Sequence, residues 1–179
     1  MSLSAPINGR RSSGAREICI FSMLAALMFA SKIIMEALPN IHLLGMLTMV
    51  YTVAFRGRAL IPLYLYITIN GLYAGFATWW MPYLYVWGVL WALTMLVPPS
   101  VPRKVRAVIY PILCSCHGFA FGVLYAPGQA LLFGLNFEQT LAWIAAGFPF
   151  DIIHGISNLF TGMLVLPFAT LLKKLMKQA

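Results

Sequence analysis

The chain has 179 residues, 61% of them hydrophobic and only 9% charged, a balance that excludes an ordinary soluble domain and points to an integral membrane protein. Its formal charge of +8 would suit a nucleic-acid binder in a soluble protein. Here the basic residues lie in short loops between apolar runs, where bilayer orientation and anionic lipid account for them, so nucleic acid is not an expected partner.

Apart from Lys32, every Lys and Arg belongs to one of four clusters: Arg10, Arg11 and Arg16; Arg56 and Arg58; Arg103, Lys104 and Arg106; and Lys173, Lys174 and Lys177. Roughly 40 to 65 residues separate consecutive clusters, enough to cross a bilayer and return at about 20 residues per helix. Each excursion turns without a basic residue, at Pro39-Asn40, at 78–82 and at 134–139. The positive-inside rule predicts an all-α integral membrane protein, a six-transmembrane-helix bundle with both termini cytoplasmic.

Residues 1–14 are polar and Ser/Gly-rich, the composition of a disordered cytoplasmic tail, and 15–179 form a single membrane domain. The first span is expected at 15–38, stopped by Pro39. No small-residue cleavage pattern closes it, and Lys32 and Glu36 lie within it, so it reads as an uncleaved span. The second, 41–55, is short for a full crossing. The third and fourth follow at 59–77 and 81–97, and Pro98, Pro99 and Pro102 make a rigid linker. After a fifth span at 107–126, residues 127–147 are too long for a turn and too apolar for a solvated loop. They are expected to form a structured outer loop between helices 5 and 6, with a short lid helix at 138–146. The sixth span is placed at 149–172, opened by Pro149 at a favoured first helical position. There is no internal repeat. Cys19, Cys114 and Cys116 sit in apolar segments and read as small hydrophobic residues.

Polar groups inside hydrocarbon are costly and therefore candidates for function. Asp151, His154 and Asn158 are spaced i, i+3, i+7 and share one helical face. They are either a ligand-binding stripe or structural groups, with Asp151 favoured by a helix dipole and the others bonding across helices. Lys32 and Glu36, spaced i, i+4, either neutralise each other or meet a ligand; His42 is equally ambiguous. Tyr73, Phe76, Trp79, Trp80, Tyr83, Tyr85, Trp87 and Trp91 crowd the outer ends of the third and fourth spans. They form an interfacial belt or an aromatic pocket open to the outside. Ser22, Ala26 and Ala30 make a smooth stripe on the first span, suited to close helix approach within the bundle or with a partner.

Other chemistries are excluded. Cys114-Ser115-Cys116-His117 places its two thiols on different helical faces, and no second ligand pair has zinc spacing, so no metal is expected. The turn from His154 to Ser157 cannot supply a nucleophile, base and orienting group together. There is no glycine-rich phosphate loop, so the chain itself is not expected to be an enzyme or to hydrolyse ATP.

Three stretches, Pro39-Asn40-Ile41-His42-Leu43, Trp79-Trp80-Met81-Pro82-Tyr83-Leu84-Tyr85 and the run from Phe148 to Asn158, resemble one branch of the substrate-binding S components of energy-coupling factor (ECF) vitamin transporters. The likeness covers nearly the whole chain from Arg16, and the branch is similar to the cobalamin-specific S components, some of which carry queuosine-precursor labels. The resemblance implies a high-affinity vitamin-binding subunit of an ABC-type importer in a bacterial plasma membrane. It would take cobalamin or a related corrinoid from the outer face as transported substrate, with no covalently bound cofactor. Its implied partners are a membrane coupling subunit and two cytoplasmic ATPases that supply the energy. The family's small-residue docking motif matches Ala26 and Ala30, with Ser22 one step earlier. The implied substrate-binding residues are His42, Asn70, Trp79, Trp80, Tyr83, Tyr85, Trp87, Trp143, Asp151, His154 and Asn158. Another vitamin, a queuosine precursor in particular, is the alternative ligand, and a self-sufficient small oligomeric carrier or channel is the alternative of another class.

Overall fold

A computed structural model describes residues 10–38 and 40–178, and those residues are helical throughout, joined by turns. The elements are α1 (Arg10–Ile34), α2 (Leu44–Phe55), a 3-10 turn (Arg56–Ala59), α3 (Leu60–Ala74), α4 (Tyr83–Met95), α5 (Arg103–Phe119), α6 (Phe121–Phe133), α7 (Phe137–Gly162) and α8 (Val165–Gln178). Three runs are long and apolar enough to cross a membrane: Gly14–Ile34, Leu44–Ala74 and Arg103–Phe133. The pair α7 and α8, bent by 49°, makes a fourth. Helices α2, α3 and α4 are apolar on all sides, as befits segments surrounded by lipid and by one another.

Several boundaries differ from those read in the sequence. The helix begins at Arg10, so 10–14 extend α1 instead of forming a coil, while 1–9 and Pro39 lie outside the described residues. No separate lid helix forms at 138–146. Instead α6 runs through Pro127 to Phe133, Gly134 closes it in the left-handed region (φ +64°), and α7 starts at Phe137. Asn136 and Gln139 cap α7 reciprocally, at 2.8 and 2.9 Å, which fixes its start three turns ahead of Pro149. Pro149 is therefore interior to α7, and its lost hydrogen bond does not break the helix. The chain breaks instead at Met163 and Leu164. Pro167 has no amide to give the Met163 carbonyl and its ring crowds it, and the local bonds tighten to Met163 N–H on Phe160 and Leu164 N–H on Thr161.

Packing is antiparallel between chain neighbours. Phe21 of α1 meets Phe55 of α2 edge-on at 5.3 Å, and the Tyr51 hydroxyl donates to the Leu24 carbonyl at 3.0 Å. Arg56 takes a left-handed φ of +57° and ends α2. α3 then returns beside α1, with Phe29 against Tyr73 at 5.3 Å and Glu17 paired to Arg58 at 3.2 Å. α4 lies against α3 through Tyr64 donating to the Leu84 carbonyl, and the turn before α4 adds the Trp80 indole donating to the Ile67 carbonyl. The tightest pair is α5 and α7, where glycines let backbones touch: a Cβ on Gly118 would stand 2.8 Å from the Gly155 Cα, and one on Gly162 would stand 2.7 Å from the Pro111 Cα. Ser115 donates to the Gly155 carbonyl at 2.9 Å across the same seam.

These contacts sort the chain by charge. Arg16 donates to the Met176 carbonyl, Arg56 to the carbonyls of Met95 and Val97, and Arg103, Arg106 and Lys173 line one cavity, so the four basic clusters meet at one end. At the other end stand Lys32, Tyr73, Trp79, Tyr125 and Trp143.

Candidate functional site

Between these ends, on the aromatic side, the three histidines of the chain gather around one indole. Trp87 of α4 is fully buried, and its ring centre is 5.8 Å from His42, 5.7 Å from His117 and 5.6 Å from Phe121. His154 of α7 closes the group, 4.6 Å from His42 and 4.9 Å from Phe121. Further rings lead outward: Phe121 stacks on Tyr125 at 5.9 Å, Tyr125 on Trp143 at 6.0 Å, and Tyr83 bridges Trp87, Tyr125 and Trp79. Helices α4, α5, α6 and α7 and the segment before α2 each contribute at least one ring.

The polar edges of this cluster are mostly unsatisfied. His42 Nδ1, His117 Nδ1, His154 Nε2 and the Trp87 indole nitrogen are buried without a hydrogen-bond partner. Both ends of the Asn70 amide on α3 are unpaired as well. His117 Nε2 lies 3.1 Å from the Val86 carbonyl and must donate to it, which leaves Nδ1 as a lone-pair acceptor in the neutral ring. An unpaired buried polar group costs about 1–3 kcal/mol. A set of donors and acceptors on one aromatic cluster is therefore suited to a ligand with polar edges and an apolar face. Among the described residues no group of His, Cys, Asp or Glu has the arrangement of a metal site.

The residues picked out in the sequence divide on this geometry. His42, Tyr83, Trp87 and His154 join the cluster, and Trp79 and Trp143 stand at its outer rim. Asn70 is fully buried on the inner face of α3. Trp80 does not face the cluster: its indole is spent on the Ile67 carbonyl at 2.8 Å and its ring packs on Phe76 at 5.0 Å. Tyr85 is exposed, and its hydroxyl ties α4 to α6 by accepting from the Gly128 amide and donating to the Tyr125 carbonyl. The stripe Asp151, His154, Asn158 splits too. Asn158 is a helix fastener, donating to the Cys114 carbonyl at 3.3 Å and wedged between Gly45 and Gly118.

Asp151 has a structural task that its place in the chain disguised. It lies in the middle of α7, and both carboxylate oxygens accept the Gly122 amide at 3.1 Å. Gly122 is in the first turn of α6, just past the break at Ala120, where amides lack helical partners. Asp151 thus caps a neighbouring helix and holds the α5–α6 bend that aims Phe121 and Tyr125 at the cluster. Replacing it with alanine is expected to lower stability by about 1–3 kcal/mol, read as a lower melting temperature in detergent. Asp151→Asn, which keeps one acceptor, should recover part of that loss.

His117, Phe121 and Tyr125 join the cluster without standing among the sequence candidates. They lie at i, i+4, i+8, and His117, an imidazole in an apolar segment, carries the same signal as His154.

The small-residue stripe is open: Ser22, Ala26 and Ala30 are all exposed, while α1 turns Phe21, Leu24, Ala25 and Met28 into the core. Lys32 bonds Glu36 at 3.3 Å, the self-neutralising pair. An apolar groove of about 350 Å³ between α1, α2 and α8 has no histidine in its lining, and a shallow cleft of about 460 Å³ bounded by Phe76, Trp80 and Leu132 opens at the aromatic end.

No protein-family model, curated protein or solved structure matches the chain.

Proposed function

We propose that the chain crosses the membrane six times with both termini and the basic end in the cytoplasm, and that it is a solute-binding subunit. Leu44–Ala74 would fold back at Arg56 into two passes and α4 would supply another, beside α1, α5–α6 and α7–α8. In support, Phe21 to Phe55 and Arg56 to Met95 bring successive helix ends together, and every basic cluster falls on one side.

The observation that carries the binding role is the ring cluster on the opposite side, where His42, His117, His154 and Trp87 keep buried polar atoms without a hydrogen-bond partner. Its elements come from four helices and a loop, the usual setting of a ligand site in a bundle. The ligand it suits is near-neutral, since Asp151 is committed to Gly122, and Lys32 and Glu36 to each other. Together with the resemblance in sequence, this favours an S component of an ECF importer that takes cobalamin or a related corrinoid from outside. Such a subunit docks through Ser22, Ala26 and Ala30 on a coupling subunit with two ATPases. A flat heteroaromatic solute of the queuosine-precursor kind is the second reading, favoured by the parallel Tyr125 and Trp143 rings at 12°.

Titration calorimetry on the purified protein without ATP tests the assignment. Saturable heat with cyanocobalamin supports it, heat with a deazapurine alone moves it to the second reading, and heat with neither removes both. Replacing Ala26 and Ala30 together by leucine is expected to leave binding unchanged and to abolish ATP-driven uptake in vesicles containing the coupling module. Solute accumulation by the chain alone in liposomes would instead identify a self-sufficient carrier.

A further inference from the structure

At the basic end a cavity of about 120 Å³ opens between α2, α5 and α8. Arg103, Arg106, Lys173 and Thr170 line it, with Val53 and Leu166 as apolar wall. Arg56 and Lys177 are close enough to add their charge to that of Lys173. The cations have no side-chain carboxylate to answer them, and the chain has four in all. Glu17 is paired with Arg58 and Glu36 with Lys32, Asp151 holds Gly122, and Glu138 sits in the first turn of α7.

The groups are also differently committed. Arg56 spends its guanidinium on the carbonyls of Met95 and Val97, whereas Arg106 keeps a buried Nε with no partner. The 17-residue helix α5 begins at Arg103, so the positive end of its dipole lies at the same place. Like charges held together at this density repel, and an oxyanion among them relieves the repulsion while accepting hydrogen bonds from Arg and Lys.

We propose that this cavity binds a phosphate oxyanion, carried by the headgroup of an anionic phospholipid. The lipid source follows from the surroundings. The wall is apolar, and Val105 and Val108 on α5 are exposed apolar side chains that acyl chains would cover. The site does not depend on which solute the other end binds.

The test uses the full chain, delipidated in a neutral detergent, with native mass spectrometry of lipid adducts and a thermal melt. Wild type is expected to retain phosphatidylglycerol about 10-fold better than phosphatidylcholine, and Arg106→Gln and Lys173→Gln are each expected to lower that retention about 5-fold. Lys174→Gln removes the same charge from outside the cavity and should change nothing. Arg106→Lys, which keeps the charge, separates loss of binding from loss of fold. Equal retention of the two lipids, or a Lys174→Gln loss as large as that of Lys173→Gln, overturns the site. Stabilisation by inorganic phosphate that Arg106→Gln abolishes, without preference for phosphatidylglycerol, upholds the oxyanion site and overturns its lipid source.

Discussion

Gly118→Leu is expected to destabilise the fold severely. A Cβ at this position would lie 2.8 Å from the Gly155 Cα and 2.9 Å from the Gly155 nitrogen and Asn158 Nδ2. Carbon atoms settle about 3.5–4.0 Å apart, and the obstacle here is backbone that cannot rotate aside. α5 and α7 must therefore separate. Separation strains the Ser115–Gly155 and Asn158–Cys114 bonds and withdraws His117 from Trp87. Overpacking alone costs about 1–3 kcal/mol, and each buried hydrogen bond adds about 1 kcal/mol. At about 2–4 °C per kcal/mol for a chain of this size, the melting temperature should fall by about 10 °C or more. Gly147→Ala is the control, because a Cβ there meets nothing within 4 Å. It should be neutral or stabilising by up to about 1 kcal/mol through helix propensity. A Gly118→Leu protein that melts with wild type would refute the glycine seam.

Trp87→Ala is the second large effect. The indole is fully buried and in ring contact with His42, Tyr83, His117 and Phe121. Its removal leaves a cavity where α4, α5, α6 and the segment before α2 converge, with an expected cost of about 3–5 kcal/mol. Trp87→Phe separates packing from recognition. The indole N–H bonds to nothing in the protein, so its loss sacrifices no internal hydrogen bond and the melting temperature should fall by only a few degrees. If that N–H is presented to the ligand, affinity should nevertheless drop about 10-fold, the worth of one hydrogen bond of about 1.4 kcal/mol. Affinity unchanged in Trp87→Phe would remove Trp87 from the recognition surface and leave it a packing residue.

Much of this organisation was legible from residue type. The separation of basic from aromatic residues along the chain became a separation of the two ends of the bundle, because charge and ring position follow helix ends directly. His42, Trp87 and His154 were legible because imidazole and indole in apolar segments are conspicuous. What escaped was whatever depends on a partner remote in sequence. Nothing in residues 149–155 tells that Asp151 serves Gly122 on another helix, since its own first-turn position offered a sufficient local explanation. For Asn158 a bond across helices is one of the two readings its sequence offers, and only its partner, the Cys114 carbonyl, and the gap at Gly45 and Gly118 are hidden. Proline is a poor guide here in the opposite direction. Pro149 has the look of a helix start but lies inside α7, and it is ahead of Pro167 that the helix breaks. The reciprocal cap of Asn136 and Gln139 was the local signal that would have placed the start of α7 correctly.

The hydroxyls of Tyr85 and Tyr125 span the aromatic end, Tyr125 donating to the Trp79 carbonyl and Tyr85 holding the Gly128 amide and the Tyr125 carbonyl. Each such bond contributes about 1 kcal/mol to holding α4 and the turn before it on α6. Under the proposed binding role, a solute reaching the rings from the aromatic end would have to part these bonds to enter and part them again to leave.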